Sequence, residues 1–489
     1  MADKNAERAD IVMDVPIDEV EEESPTREDL VDYFPRYTLK RSGLVAPDER
    51  PPGLQSLVLG LQHVLAMFGS TVLAPLLMGF DTNTCLFFSG LGTLIFYVVT
   101  GGRVPSYVGS SFGFIGVVTS VTGYAYSPGA SSNPNLPLAT GGILVCGVVY
   151  GVVGLVVMAA GYRWIELLMP PGELVGGRAH WFHRRHSKTS SSSHHFNQPS
   201  QTVVTGAVVM TIGVNLSSVA IGQASGSGFD GYMAFATVLS VALINTYAPA
   251  PIRRLSILFG ALTGYLINLF CGLGGAGPRI DYAGVAAAPW VAPPKLQAPK
   301  FSGPAISTIA PVCIVLVAEN IGHVKAVGAM TGRNLDRYLG RAFLGDAIAT
   351  IVSAAGGGTG TTTYAENIGV MAVTKIFSTL VFIIAALVAI ILGFIPKFGA
   401  VIHTIPTGVF GGLSIVLFGL IAVTGARIWV ENSVDFSDPR NLLTAGISML
   451  LGAGMTSARV VWGPIQLDGI GVATFSAIIL YQLLRGWGE

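Results

Sequence analysis

Residues 356–375 read Gly356-Gly357-Gly358-Thr359-Gly360-Thr361-Thr362-Thr363-Tyr364-Ala365-Glu366-Asn367-Ile368-Gly369-Val370-Met371-Ala372-Val373-Thr374-Lys375. The first eight are glycine and threonine, which make poor helix and good extended backbone. The apolar run after them, about 364–375, is too short for a spanning helix, which needs about 20 residues. A second stretch has the same form: Gly109-Ser110-Ser111 leads into a short apolar run at about 111–123. Irregular backbone at membrane depth is tolerated only where protein or a cavity surrounds it. Paired short segments in matching positions of two halves point to a transporter built as an inverted repeat.

Around these two stretches lie twelve full-length apolar candidates. They fall at roughly 56–79, 84–100, 140–160, 202–222, 231–249, 254–273, 304–326, 339–356, 377–395, 403–424, 440–456 and 467–485. Each short segment is third in its group of seven. The reading is an all-α polytopic membrane protein with 14 transmembrane segments arranged seven plus seven.

Composition agrees. Only 11% of the 489 residues are charged and 51% are hydrophobic, against about 25% charged in soluble domains. The 28 acids balance 28 bases. These values exclude a disordered chain, a basic nucleic-acid binder and an ordinary soluble enzyme. The partner is the lipid bilayer, not nucleic acid. Half of the acids, 14, lie in residues 1–50, which read as an acidic, solvated tail and not as a signal peptide. Cys85, Cys146, Cys271 and Cys313 lack metal-ligand spacing and read as structural thiols.

Lysine and arginine set the orientation. Outside the tail there are 21. With the N-terminus inside, 16 fall on the inner face and five (Arg279, Lys295, Lys300, Lys397 and Arg459) on the outer. The expectation is an integral protein of the plasma (cytoplasmic) membrane with both termini cytoplasmic.

Residues 172–201 are atypical. They hold His180, His183, His186, His194 and His195 among serines. Three readings stand: a flexible cytoplasmic loop, a metal-binding tract, or a segment that is not genuine coding sequence.

Ionisable groups inside membrane segments are costly and usually functional. Three acids qualify: Glu319, Asp346 and Glu366. Glu319 and His323 are i and i+4, so they share a helix face. The pair reads either as part of the transport machinery or as a buried helix clamp. Glu366 opens the second half-helix, where free backbone N–H groups gather. A carboxylate beside free N–H groups suits a small planar ligand with donors and acceptors, such as the lactam edge of a nucleobase. Two carboxylates in one dry pocket resist being charged together. A glutamate that gains and loses a proton as access alternates therefore supplies a coupling device. Asp346 reads as orienting backbone or polar neighbours, His63 as packing between helices, and His403, at the start of the twelfth segment, as structural.

These residues resemble the nucleobase–ascorbate transporter family, also called nucleobase/cation symporter-2. The resemblance rests on Glu366-Asn367-Ile368-Gly369 followed by Thr374-Lys375, and on Gln62-His63, Ala66-Met67-Phe68-Gly69, Gly109-Ser110-Ser111-Phe112 and Ala318-Glu319-Asn320-Ile321-Gly322-His323. It covers roughly residues 50–487 and within the family looks like the bacterial uracil permeases.

The resemblance implies a core domain from segments 1–4 (53–165) and 8–11 (304–397). It implies a gate domain from segments 5–7 (203–275) and 12–14 (398–489). The tail (1–52), a cytoplasmic connection with the His/Ser-rich insertion (166–202) and an extracellular loop (276–303) complete the chain. Segments 3 and 10 are half-helices preceded by short antiparallel strands. Glu319 and Glu366 hold the uracil ring nitrogens and one oxygen side, and Phe112 and Ala365 offer backbone N–H groups to its carbonyls. Tyr364 lines the ring face. His323 supports Glu319, the proton-responsive group, and Asn367, Gln62, His63 and Asp346 support the site. The family also implies a homodimer through the gate domains.

Two departures stand out. Ala365 replaces the glycine of the uracil permeases, which is tolerable at negative φ. The 172–201 insertion interrupts the connection between the fourth and fifth segments.

The function expected is a proton-coupled symporter importing uracil by alternating access. It needs no cofactor beyond the proton gradient. Glutamate at the first signature position favours a ligand edge of N–H donors, because a carboxylate only accepts; purine-selective relatives often carry glutamine there. Xanthine or uric acid by the same mechanism is the nearest alternative. An anion transporter or exchanger of the same seven-plus-seven architecture is disfavoured by two acids in the site. A membrane-embedded enzyme is disfavoured because no metal-ligand cluster or nucleophile–base pair appears.

Overall fold

The computed structural model describes residues 33–124, 126, 133–162, 164, 202–253, 255–431, 433–456, 460–462 and 465–484. The His-rich tract lies outside the described residues.

Helix α1 (Gly53–Met78) ends at Gly79, whose φ of 79° is the left-handed geometry that a C-cap glycine adopts freely. Helix α2 (Thr82–Thr100) begins where Asp81 accepts the Thr84 N–H at 2.9 Å. Strand β1 (Val108–Ser110) feeds half-helix α3 (Gly113–Thr122), and α4 (Leu136–Ala160) follows. Next come α5 (Thr202–Asn215), α6 (Ser217–Ala224), α7 (Gly228–Tyr247) and α8 (Ser256–Leu273). The second half repeats the plan. Helices α9 (Gly303–Ile309), α10 (Val312–Thr331) and α11 (Leu339–Ala355) precede strand β2 (Thr361–Thr363) and half-helix α12 (Ala365–Thr374). Then come α13 (Thr379–Gly393), α14 (Pro396–Ile402), α15 (Thr407–Glu431) and α16 (Pro439–Gly454). A hairpin of β3 (Val460–Trp462) and β4 (Ile465–Leu467) leads into α17 (Gly469–Leu484).

Among the described residues, eight helical stretches are long and apolar enough to cross a membrane, or nine if α13 and α14 count as one span bent by 86°. That is fewer than the twelve full-length candidates of the sequence. Helices α11, α16 and α17 have 17, 16 and 16 residues. Local chemistry trims two of them: Pro439 and the Asp438 cap start α16, and α11 stops at Gly356. His403 is not at the head of a spanning helix. It caps α14, and α15 begins only after Pro406.

The helices pack in two sets. Helix α11 lies against α4 and α2, and α13 against α2 and α1; α15 lies against α5, α6 and α7, α16 against α17 and α5, and α8 against α7. Small residues allow the close crossings that drive association where lipid removes the hydrophobic drive. A Cβ on Gly90 would come within 2.5 Å of the Ala386 carbonyl oxygen, and one on Gly425 within 2.4 Å of the Met210 nitrogen.

The reading of residues 1–52 as a free acidic tail needs correction over its described part. Residues 33–50 are seated on the helices. Val45 N–H donates to the Lys375 carbonyl at 3.0 Å and Phe377 N–H to the Val45 carbonyl at 2.8 Å. The Tyr37 hydroxyl pairs with Thr379 Oγ1 at 2.6 Å, and Phe34 stacks on Tyr97 at 5.5 Å. Charge counting marked this stretch as solvated, but its aromatic residues and Val45 anchor it.

Candidate functional site

Both half-helices spring from one two-stranded sheet. Strands β1 and β2 are antiparallel, with Val108 opposite Thr363, Gly109 opposite Thr362 and Ser110 opposite Thr361. Ser111 N–H extends the pairing to the Gly360 carbonyl at 3.0 Å, and Tyr364 N–H to the Tyr107 carbonyl at 3.0 Å. The glycine and threonine approach is extended because the partner strand, not water, satisfies its backbone.

Each strand hands over to a helix within two residues. Phe112 is the N-cap of α3 and Tyr364 the N-cap of α12. Helix N-termini leave N–H groups without intrahelical acceptors. Among the described residues, neither the Phe112 nor the Ala365 N–H has a protein acceptor. Ala365 does not have a positive φ, so its methyl costs no backbone strain.

The two glutamates are held by hydroxyls. Ser70 of α1 donates to Glu366 Oε1. Thr362 donates to Glu319 Oε2 at 3.2 Å. Both carboxylates are thus anchored within five residues of chain, at 362 and 366, and both keep partial exposure. Ala365, Gly369 and Val373 form an exposed stripe on α12, spaced to share one face. No lysine or arginine ion pair to either glutamate occurs among the described residues.

Strand β2 spends each of its hydroxyls on a different ionisable residue. Thr361 Oγ1 donates to Asp346 Oδ1 at 3.1 Å. Thr363 Oγ1 meets His323 Nδ1 at 2.8 Å. Asp346 is fully buried and also accepts from Asn320 Nδ2 at 3.3 Å. The structure therefore brings Glu319, His323 and Asp346 to one strand. It does not hydrogen-bond His323 to Glu319; the imidazole reaches the neighbouring threonine instead.

Tyr364 sits beneath β1. Its hydroxyl donates to the Ser110 carbonyl at 3.0 Å and accepts from Thr71 at 3.0 Å. A Cβ on Gly109 would fall 2.6 Å from that hydroxyl, so glycine there makes room for the ring. At 3% exposure, Tyr364 offers little ring face to a ligand. Asn367 is buried and its Nδ2 donates to the His63 carbonyl at 3.1 Å and to His63 Nδ1 at 3.0 Å. His63 packs on Phe382 with ring centroids 4.5 Å apart. The Gln62 side chain, beside it, makes no hydrogen bond among the described residues. Phe112 turns its ring edge-on to Phe418 of α15, at 5.8 Å and 88°.

Sequence reasoning missed Ser70, Thr71, Thr361, Thr362 and Thr363 as partners of the charged groups. A signal was present for Ser70 and Thr71, which directly follow the quoted Ala66-Met67-Phe68-Gly69.

Residues 54–176 and 201–460 match the family model Xan_ur_permease, described as a permease family. The chain is 51% identical over 456 residues to "Putative pyrimidine permease RutG" of Escherichia coli (strain K12), covering 92% of this chain and 95% of that protein. It is 35% identical over 450 residues to the uracil permease of Paenibacillus larvae subsp. larvae, covering 89% and 96%. Among solved structures it is similar to SLC26A9, with a TM-score of 0.58 at 12% identity, over 89% of this chain and 66% of that one. This last likeness concerns the fold alone.

Proposed function

This chain belongs to that permease family and is an integral membrane protein, and from this premise we propose that it is a proton-coupled symporter importing uracil by alternating access. The observation that carries the reading is the pair of hydroxyl-held glutamates, Glu319 on Thr362 and Glu366 on Ser70, together with the acceptor-free N–H groups of Phe112 and Ala365 at the heads of the two half-helices. A pyrimidine lactam has ring N–H groups for the carboxylates and carbonyls for the N–H groups. The relatives named as uracil and pyrimidine permeases support the substrate class. The cargo leaves unchanged, so no enzymatic step is involved.

Proton coupling follows from the charge balance. Two carboxylates without a paired cation are expensive at membrane depth. A proton is the small counter-charge such a site accommodates, and Glu319 is its carrier. Thr363 holds the His323 ring, and Asp346 orients Thr361 and Asn320, so these two residues act through the strand rather than on the ligand.

On this reading the chain crosses the plasma (cytoplasmic) membrane fourteen times as a seven-plus-seven inverted repeat with both termini inside. The helices of 53–165 and 304–397 form the core, and those of 203–275 and 398–489 form the gate, with gate domains pairing in a homodimer. The two sets of packed helices support that division. Labelled uracil uptake in cells lacking their own uracil permease tests the reading. Uptake must saturate and must stop with a protonophore. Competition by unlabelled xanthine equal to that by uracil would shift the assignment to xanthine or uric acid.

A further inference from the structure

We propose that a polar chamber beside α3 receives the nucleobase before it reaches the glutamates. The chamber has a volume of about 300 Å³ and lies between the C-terminal part of α3, the α5–α6 junction and the start of α17. That volume is at the small end of ligand sites. Gly116 and Thr119 of α3, Asn215 and Ser218 of the α5–α6 junction and Asp468 before α17 line it.

The lining is rich in acceptors. The Thr119 hydroxyl donates to the Ile115 carbonyl at 2.8 Å and the Ser218 hydroxyl to the Asn215 carbonyl at 3.2 Å. Their protons are used, so toward the chamber both oxygens accept. Asn215 Nδ2 donates to the Gly452 carbonyl at 2.7 Å, which leaves Oδ1 on the Gly116 side. Asp468 Oδ1 accepts the Gly471 N–H at 2.8 Å, which fixes the carboxylate at the start of α17. A Cβ on Gly116 would come within 3.1 Å of Asp468 Oδ2, so glycine keeps that end clear. Such a wall suits an uncharged ring presenting N–H donors, the class proposed for the glutamate site, and the inference rests on that reading.

Position relates the two places. Gly116 lies about one turn beyond Phe112 on α3. Because β1 and β2 are antiparallel and each runs into its half-helix, α3 and α12 leave the sheet in opposite directions. The chamber follows α3 one way and the exposed stripe Ala365, Gly369 and Val373 follows α12 the other. The Phe112–Phe418 contact joins the two helix sets at the head of α3, about one turn before Gly116.

Ser218 is exposed, and its replacement by cysteine can be modified after folding. Cys85, Cys146 and Cys313 are buried and Cys271 is partly exposed, so the parent chain serves as control. In proteoliposomes, a methanethiosulfonate reagent should reduce uracil uptake by Ser218→Cys to near background. Excess uracil should slow the labelling, and dithiothreitol should restore transport. Asp468→Asn, which retains a good N-cap, should raise KM about three- to tenfold with Vmax within about twofold, the mark of lost binding before the committed step. Full transport by labelled Ser218→Cys, labelling indifferent to uracil, or an unchanged KM in Asp468→Asn overturns the chamber while leaving the glutamate site standing. Absence of uracil uptake by the parent chain overturns both.

Discussion

Thr362 donates its hydroxyl proton to Glu319 Oε2 across 3.2 Å, joining the strand before one half-helix to the carboxylate of another helix. The consequence is that the two glutamates move with one sheet. Strand β2 carries Thr362 and leads directly into the helix of Glu366, so their spacing is set by β2 and the first turn of α12.

Thr362→Val tests that link. The change keeps the branched shape suited to a strand and removes the donor to a charged acceptor, an interaction worth about 1.5–3 kcal/mol. Uracil affinity should fall about tenfold or more by titration calorimetry. An unchanged Kd would show that Glu319 does not depend on the strand for its position.

Ala365→Pro isolates a single donor. Tyr364 is the N-cap, with φ −107° and ψ 123°, a geometry compatible with a following proline. Proline at the first helical position keeps the helix and deletes only the N–H. Thermal unfolding should stay within a few degrees of the parent, while uracil affinity drops about tenfold. Ala365→Gly should bind as the parent does. If the proline variant binds normally, this N–H is not a ligand contact.

Asn367→Asp should be far more damaging than its size suggests. The buried amide donates to the His63 carbonyl at 3.1 Å, and a carboxylate cannot donate there. Destabilisation of about 1–3 kcal/mol or more is expected, seen as a lower Tm in detergent. A Tm equal to the parent's would refute this role for the amide.

The N-terminal segment gives a contrast in magnitude. Arg333 and Asp48 pair at 2.9 Å but are substantially exposed, so Asp48→Ala should change stability by less than about 1 kcal/mol. Deleting residues 33–50 also removes Val45 from its cluster with Leu59, Ile376 and Val381. That deletion should lower Tm clearly. Equal Tm values for the two variants would deny the segment any anchoring role.

How much was legible follows from these same residues. Glu319 and Glu366 stood out because charge is rare in the apolar segments. The Gly/Thr run before Tyr364 announced extended backbone through its composition. The hydroxyl partners did not stand out, because serine and threonine are common and nothing local distinguishes Thr362 from its neighbours. Asn320 and Asp346 meet across 26 positions of sequence, beyond the reach of helical spacing. The start of α15 was read too early because the apolar residues run on from α14 through Ile405, and Pro406 ends that stretch before Thr407. Tyr364 was expected at the ring face; alternation along the strand could not show that Gly109 leaves a slot beneath β1 for its ring.

In the proposed function, Glu366 binds a nucleobase whose uptake is driven by protons. The direct measurement is accumulation of labelled uracil in proteoliposomes with an imposed inward proton gradient, for the parent and for Glu366→Ala. The parent should accumulate uracil until a protonophore abolishes it, and the variant should accumulate none. Normal accumulation by Glu366→Ala would rule out binding at Glu366, and parent uptake indifferent to the gradient would rule out proton coupling.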